Sequence, residues 1–193
     1  MTWSKYSFAL SIAIGLTGEV RADYVTYTDR GTFAAATGNL RTIGFEGLAP
    51  SGGFADYGTP SGLTLQGVNF VGTIDGDNSL YVVDPAFSPT IYDWGSGAVL
   101  LGPSLAFSDI AQINITLPPG TTAVGMDLMS IVLNADGTAI VPDVTLLQVN
   151  LGSGPSFSVY TDDYPQRAFF GVTSDEPIES LSISTRPLVP TSE

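Results

Sequence analysis

A chain with neither histidine nor cysteine can do chemistry only with carboxylates, hydroxyls, tyrosines and a few arginines. Thiolate and imidazole metal sites, cysteine nucleophiles and the Ser-His-Asp arrangement each need a group that this chain lacks. What remains is oxygen chemistry: holding a hard cation, hydrogen bonding to hydroxyl-rich ligands, and acid–base work by paired carboxylates.

Three constellations offer that chemistry. In Asp75-Gly-Asp-Asn-Ser79 the side chains of Asp75, Asp77 and Ser79 alternate, so their oxygens can wrap a structural calcium ion. A complete helix-loop-helix calcium loop would continue with glycine at its sixth position and glutamate at its twelfth. Those places hold Leu80 and Ala86, which keeps an acidic hairpin turn as the competing reading. The second constellation sets Tyr81, Phe87, Tyr92 and Trp94 around Asp84 and Asp93. Aromatic rings stack on sugar faces while carboxylates accept hydroxyl protons; the same rings can instead pin a long loop to the body of the protein. The third is the set Glu46, Asp84, Asp93 and Asp127, from which a glycosidase would need two carboxyls roughly 5 to 9 Å apart across a cleft.

Charge narrows the partners. Nineteen acidic residues face six basic ones, for a net charge of −13, a field that repels phosphate backbones and anionic lipid. Nucleic acid and membrane surfaces are therefore excluded as expected partners, whereas divalent cations and neutral sugars are compatible.

Residues 1–22 carry an early Lys5, the apolar run from Phe8 to Leu16, and Val20-Arg-Ala22. That is the layout of a secretory signal peptide cleaved before Asp23. The apolar run is far short of the roughly 20 residues of a spanning helix, and no second such run follows, so no membrane span is expected in the mature chain. Residues 23–193 are then one domain of a secreted protein. Losing Lys5, Arg21 and Glu19 with the leader makes it one unit more negative and leaves it without lysine.

The elements that must position these groups are mostly strands. Asp29 or Thr32 can cap a short helix through Ala34-Ala-Ala36, with Gly38 ending it. Residues 41–46 read as a strand and residues 48–58 as a Gly/Pro/Ser loop. Apolar residues alternate at Ile113, Ile115 and Leu117, at Val124, Met126 and Leu128, and at Phe157 and Val159. Gln66-Gly67 marks a bulge or tight turn, and Pro118-Pro-Gly120 a turn. About ten strands with turn signals every 8 to 15 residues predict an all-β fold: an antiparallel, jelly-roll-like β-sandwich with one short N-terminal helix.

Ile43-Gly-Phe-Glu-Gly-Leu48, Gly67-Val-Asn-Phe70, Leu80-Tyr-Val-Val-Asp84, Gly120-Thr-Thr-Ala-Val-Gly-Met-Asp-Leu128 and Ala168-Phe-Phe-Gly-Val172 with Pro177-Ile-Glu-Ser-Leu181 resemble secreted bacterial proteins of the PEP-CTERM sorting class. The resemblance implies a β-sandwich exoprotein at the bacterial cell envelope, in a class defined by its address and not by a shared reaction. Such proteins end in a Val-Pro-Glu-Pro-like motif, a hydrophobic helix and a basic tail. This sequence ends at Arg186-Pro-Leu-Val-Pro-Thr-Ser-Glu193 without them and without the family's final strand carrying an Ile-Asp-Asn-like phrase; against the resemblance, the missing strand implies an open sheet edge available for self-association.

The leading expectation is a secreted, non-catalytic module that binds extracellular polysaccharide through Tyr81, Asp84, Tyr92, Asp93 and Trp94, or that serves as a structural component of a matrix. The alternative is a secreted carbohydrate-active enzyme, a glycosidase or lyase working through carboxylates. A flat aromatic platform separates the first from a groove flanked by two facing carboxylates.

Overall fold

A computed structural model describes residues 22–74, 76–87, 97–102, 111–129, 132–133, 140–141, 146–161 and 166–185. The leader read over residues 1–22 falls, apart from Ala22, outside them. In chain order the strands are β1 (Tyr24–Tyr27), β2 (Phe54–Asp56), β3 (Leu63–Leu65), β4 (Val68–Ile74), β5 (Asp77–Asn78), β6 (Tyr81–Val83), β7 (Val99–Leu101) and β8 (Ala111–Thr116). There follow β9 (Ala123–Leu128), β10 (Val132–Leu133), β11 (Ile140–Val141), β12 (Leu146–Asn150), β13 (Ser156–Tyr160), β14 (Ala168–Ser174) and β15 (Ser180–Thr185). The one helix among the described residues, α1 (Arg30–Thr37), lies between β1 and β2.

Every pairing among these strands is antiparallel, and the chain is all-β. The large sheet runs β13-β12-β15-β8-β4-β3, with β5 folded back on β4. A second sheet runs β1-β14-β9, a small sheet β2-β6-β7, and β10 pairs with β11. Strand alternation explains how these sheets stack: one half of each strand is apolar and must leave water. A single core collects Phe70, Ile115, Leu147, Val149 and Leu181 from the large sheet, Phe170, Val172 and Leu128 from the second, and Val82 from the small one. Val82, Val149 and Val172 are fully buried. The rings of Phe157 on β13 and Phe170 on β14 meet across the layers at 5.6 Å. Ile115, Leu128 and Phe157 are among the residues whose alternation predicts a sandwich.

The helix forms as its caps dictate. Asp29 sits in extended backbone and its side chain accepts a hydrogen bond from Thr32 N at 2.8 Å; Gly38, at φ 71°, ends the helix. Gln66 and Gly67, at φ 50° and 85°, make the tight two-residue turn between β3 and β4 that the shift in phase predicts.

Two expectations need correction. Residues 41–46 form no strand: Ile43 and Phe45 pack against the core, with the Phe45 ring 5.6 Å from Phe70, so side-chain burial and not ladder pairing holds this segment. The Gly/Pro/Ser loop of residues 48–58 in turn contains β2, which pairs with β6. No helix among the described residues is long and apolar enough to cross a membrane.

Candidate functional site

The small sheet carries the described part of the aromatic constellation. Register puts Phe54 opposite Val83 and Asp56 opposite Tyr81, and the period of two then aims these four side chains away from the core, while Ala55 and Val82 aim into it. Phe54 is 52% exposed. The rings of Tyr81 and Phe87 stand edge-on to it at 5.7 and 5.6 Å, each at 81°. Val83, opposite Phe54 in the ladder, is buried although it lies outside the main core.

Asp84 follows β6 directly and organises this end of the sheet. Its Oδ1 accepts hydrogen bonds from Gly52 N at 3.0 Å and Ala86 N at 2.9 Å. Asp84 N donates to Gly53 O, and Phe87 N to Asp84 O, both at 2.9 Å. One carboxylate thus ties the loop before β2 to the turn after β6, and the turn places Phe87 beside Phe54. Tyr57, just past β2, donates its hydroxyl to Leu48 O at 3.2 Å.

The structure therefore brings Tyr81 and Asp84 to one patch and adds Phe54 and Phe87 to it. Tyr92, Asp93 and Trp94 lie outside the described residues. Sequence reasoning overlooks Phe54 because it sits in a stretch that looks like loop; its alternation with Asp56 across Ala55 was the available signal.

At the proposed calcium site, Asp75 lies outside the described residues. Asp77 is exposed on β5, opposite Ile74, and Gly76 has φ 93°. Ser79 N donates to Gly72 O at 3.0 Å. Gly76 thus lies in the turn that joins β4 to β5. Among the described residues, no three His, Cys, Asp or Glu side chains gather where they could hold a metal.

Of the carboxylates considered for acid–base work, Asp93 lies outside the described residues, and Glu46 sits in the turn before Leu48 with its carboxylate near Gly97. Asp127 lies on β9 and pairs with Arg30 at 2.6 Å, while Asp84 serves the small sheet as described. Asp56 accepts from Gly58 N at 2.7 Å, and Asp175 from Asp23 N at 2.8 Å. Asp127, Asp84, Asp56 and Asp175 each hold a turn, a terminus or a helix in place.

Comparison with family models, curated proteins and solved structures finds no match to this chain.

Proposed function

We propose that the protein is an exported, non-catalytic β-sandwich module that binds neutral extracellular glycan at the aromatic patch of its small sheet. The observation that carries this reading is the exposure of Phe54 within a group of rings: half of this large apolar residue faces water, with the Tyr81 and Phe87 rings perpendicular to it. A single exposed apolar side chain is ordinary on a protein surface, whereas grouped aromatic surface is a common feature of binding sites. A fixed ring presents a planar apolar surface to the C–H face of a sugar at little entropic cost, and Asp56 and Tyr81 beside it offer an acceptor and a hydroxyl to the sugar's own hydroxyls. The N-terminal leader pattern supports export, and the strongly acidic chain favours neutral ligands over anionic ones.

The test is a glycan array on the full chain with and without calcium, repeated with Phe54→Ala. Binding of neutral glycans that Phe54→Ala abolishes, with the melting temperature kept within a few degrees, is the expected result. Wild-type protein that binds no glycan, or a variant that binds as well as wild type, overturns it.

A further inference from the structure

The large sheet has an outer face that none of the foregoing uses. Register sets Ser156, Asn150, Ser182 and Asn114 side by side across β13, β12, β15 and β8. The next row is Ser158, Gln148, Ser184 and Gln112. Beyond Asn114, Thr116 pairs with Ser180 on one side and with Asn69 on the other. None of these residues is charged, in a chain with a net charge of −13.

The relief of this face follows from side-chain length. The central strand β15 shows Ser180, Ser182 and Ser184, which are short, and its neighbours show Gln112 and Asn114 on β8 and Gln148 and Asn150 on β12, which are long. The hydroxyls of Ser180, Ser182 and Ser184 form a floor about 14 Å long, the length of four strand intervals, and amides flank it over Ser182 and Ser184, about 7 Å. At its Ser180–Ser182 end a hollow of about 340 Å³ opens, lined by the polar Asn114, Thr116, Asn150, Ser180 and Ser182 with Gly152, and by Ile115 and Leu181.

The amides are held in place. Ser156 Oγ donates to Asn150 Oδ1 at 2.6 Å, and Asn150 Nδ2 donates to Ser182 Oγ at 3.3 Å. Gln148 Nε2 donates to Ser158 Oγ at 3.4 Å, and Gln112 Nε2 to Asn114 Oδ1. A primary amide has two N–H donors and two acceptor lone pairs; these bonds orient Asn150 with one of each engaged and one of each still to offer. A donor beside an acceptor is what a pair of neighbouring sugar hydroxyls complements. On the edge strand β13, Tyr160 shares this face opposite Leu146 and is 66% exposed, an aromatic surface one row past the amides.

We propose that this trough is a second binding site, for an extended neutral polysaccharide chain that leaves the hollow on β15 and crosses β12 obliquely towards β13, with Asn114 and Asn150 bonding its hydroxyls and Tyr160 stacking on a sugar ring beyond them. Ionic ligands find no counter-charge here, and an apolar partner would leave the amides unpaired, which costs more than it returns. The site stands on other residues and another sheet than the aromatic patch, and neither requires the other.

The experiment is native affinity electrophoresis of the full chain through gels containing hydroxyethylcellulose, xylan, dextran or galactomannan, with alginate as the anionic control. The strongly negative chain migrates well at neutral pH. At least one neutral polymer should retard it, and alginate should not. Ser182→Leu fills the floor and should weaken that retardation about tenfold or more; Tyr160→Ala, at an exposed position, should weaken it without lowering the melting temperature. Phe54→Ala should leave retardation by the trough's polymer in place. No retardation by any neutral polymer, equal retardation by alginate, or loss confined to Phe54→Ala with Ser182→Leu and Tyr160→Ala unaffected, overturns the trough. The last of these outcomes would leave the aromatic patch standing.

Discussion

Gly125 on β9 and Gly171 on β14 stand directly opposite each other in the ladder, and the ring of Phe33 fills the space their absent side chains leave. A Cβ at Gly125 would come within 2.7 Å of the Phe33 ring, and one at Gly171 within 2.8 Å. The helix docks by this ring, which also contacts Tyr27 and Phe169 at 5.5 and 5.6 Å and is only 3% exposed.

Alanine at Gly171 should therefore destabilise the fold by about 1 to 3 kcal/mol through overpacking. Phe33→Ala should cost more, about 3 to 5 kcal/mol, because it empties the seat of the helix. Urea unfolding of both variants checks the order. Combining Phe33→Ala with Gly171→Ala should cost less than the two single losses together, since the clash with Phe33 vanishes with its ring and only that with Phe169, at 2.9 Å, remains.

Arg30 adds little to that docking. Its guanidinium meets Asp127 at 2.6 Å and lies 5.1 Å from the Phe169 ring centre, yet the arginine side chain is 59% exposed. Water and salt screen such a pair, so Arg30→Ala should cost about 1 kcal/mol or less. Asp29→Ala, which removes the helix cap, should cost about as much or more, at ~1 kcal/mol. Thermal melts of the two variants in low and high salt separate them, because the exposed Arg30 ion pair fades with salt while the Asp29 cap keeps its direct hydrogen bond to Thr32 N and loses only its charge–dipole part.

The turn between β3 and β4 places a glutamine where a smaller residue fits better. Gln66 has φ 50°, a left-handed conformation that costs most side chains about 1 kcal/mol or more and that asparagine tolerates. Gln66→Asn gives the Asn-Gly pair preferred in such turns and should raise the melting temperature by a few degrees. The Gln66 carbonyl, which accepts from Arg41 at 2.8 Å, is unaffected by the change.

The parts of the fold legible in the sequence are those governed by neighbours along the chain. Asp29 and Gly38 cap the helix, Gln66-Gly67 turns the chain, and Ile113 and Ile115 alternate with polar residues, all within a few positions of each other. Parts settled by distant contacts are not legible. Phe45 looks like a strand residue but is held by Phe70, and Phe54 looks like a loop residue but is paired with Val83. The same division runs through the two surfaces. Tyr81 and Asp84 adjoin one another in sequence, so their meeting at one end of a strand is expected; the row from Ser156 to Asn114 exists only once four strands take their register. Its signal was the polar half of each alternation, which is easily dismissed as the side that faces water.

Asp84 separates a structural carboxylate from a catalytic one. Its Oδ1 accepts two backbone N–H groups, from Gly52 and Ala86, and Asp84→Ala leaves both donors without that partner. The loss should be about 1 to 3 kcal/mol for each donor that water cannot reach, and the turn carrying Phe87 should loosen with it. Asp84→Asn keeps an oxygen in the same place without the charge. It should therefore restore most of the melting temperature, and with it the seating of Phe87 against Phe54 and the glycan binding proposed for that patch. A carboxylate acting as acid, base or nucleophile gives the opposite pattern, because the amide cannot take up or release the proton or attack the sugar. Melting temperature, glycan binding and glycan hydrolysis or lysis measured on the wild type and both variants decide between them: an Asn variant that matches wild type in all three fits the anchoring role, and one that folds and binds like wild type but loses a hydrolytic or lyase activity that wild type has would assign Asp84 to catalysis.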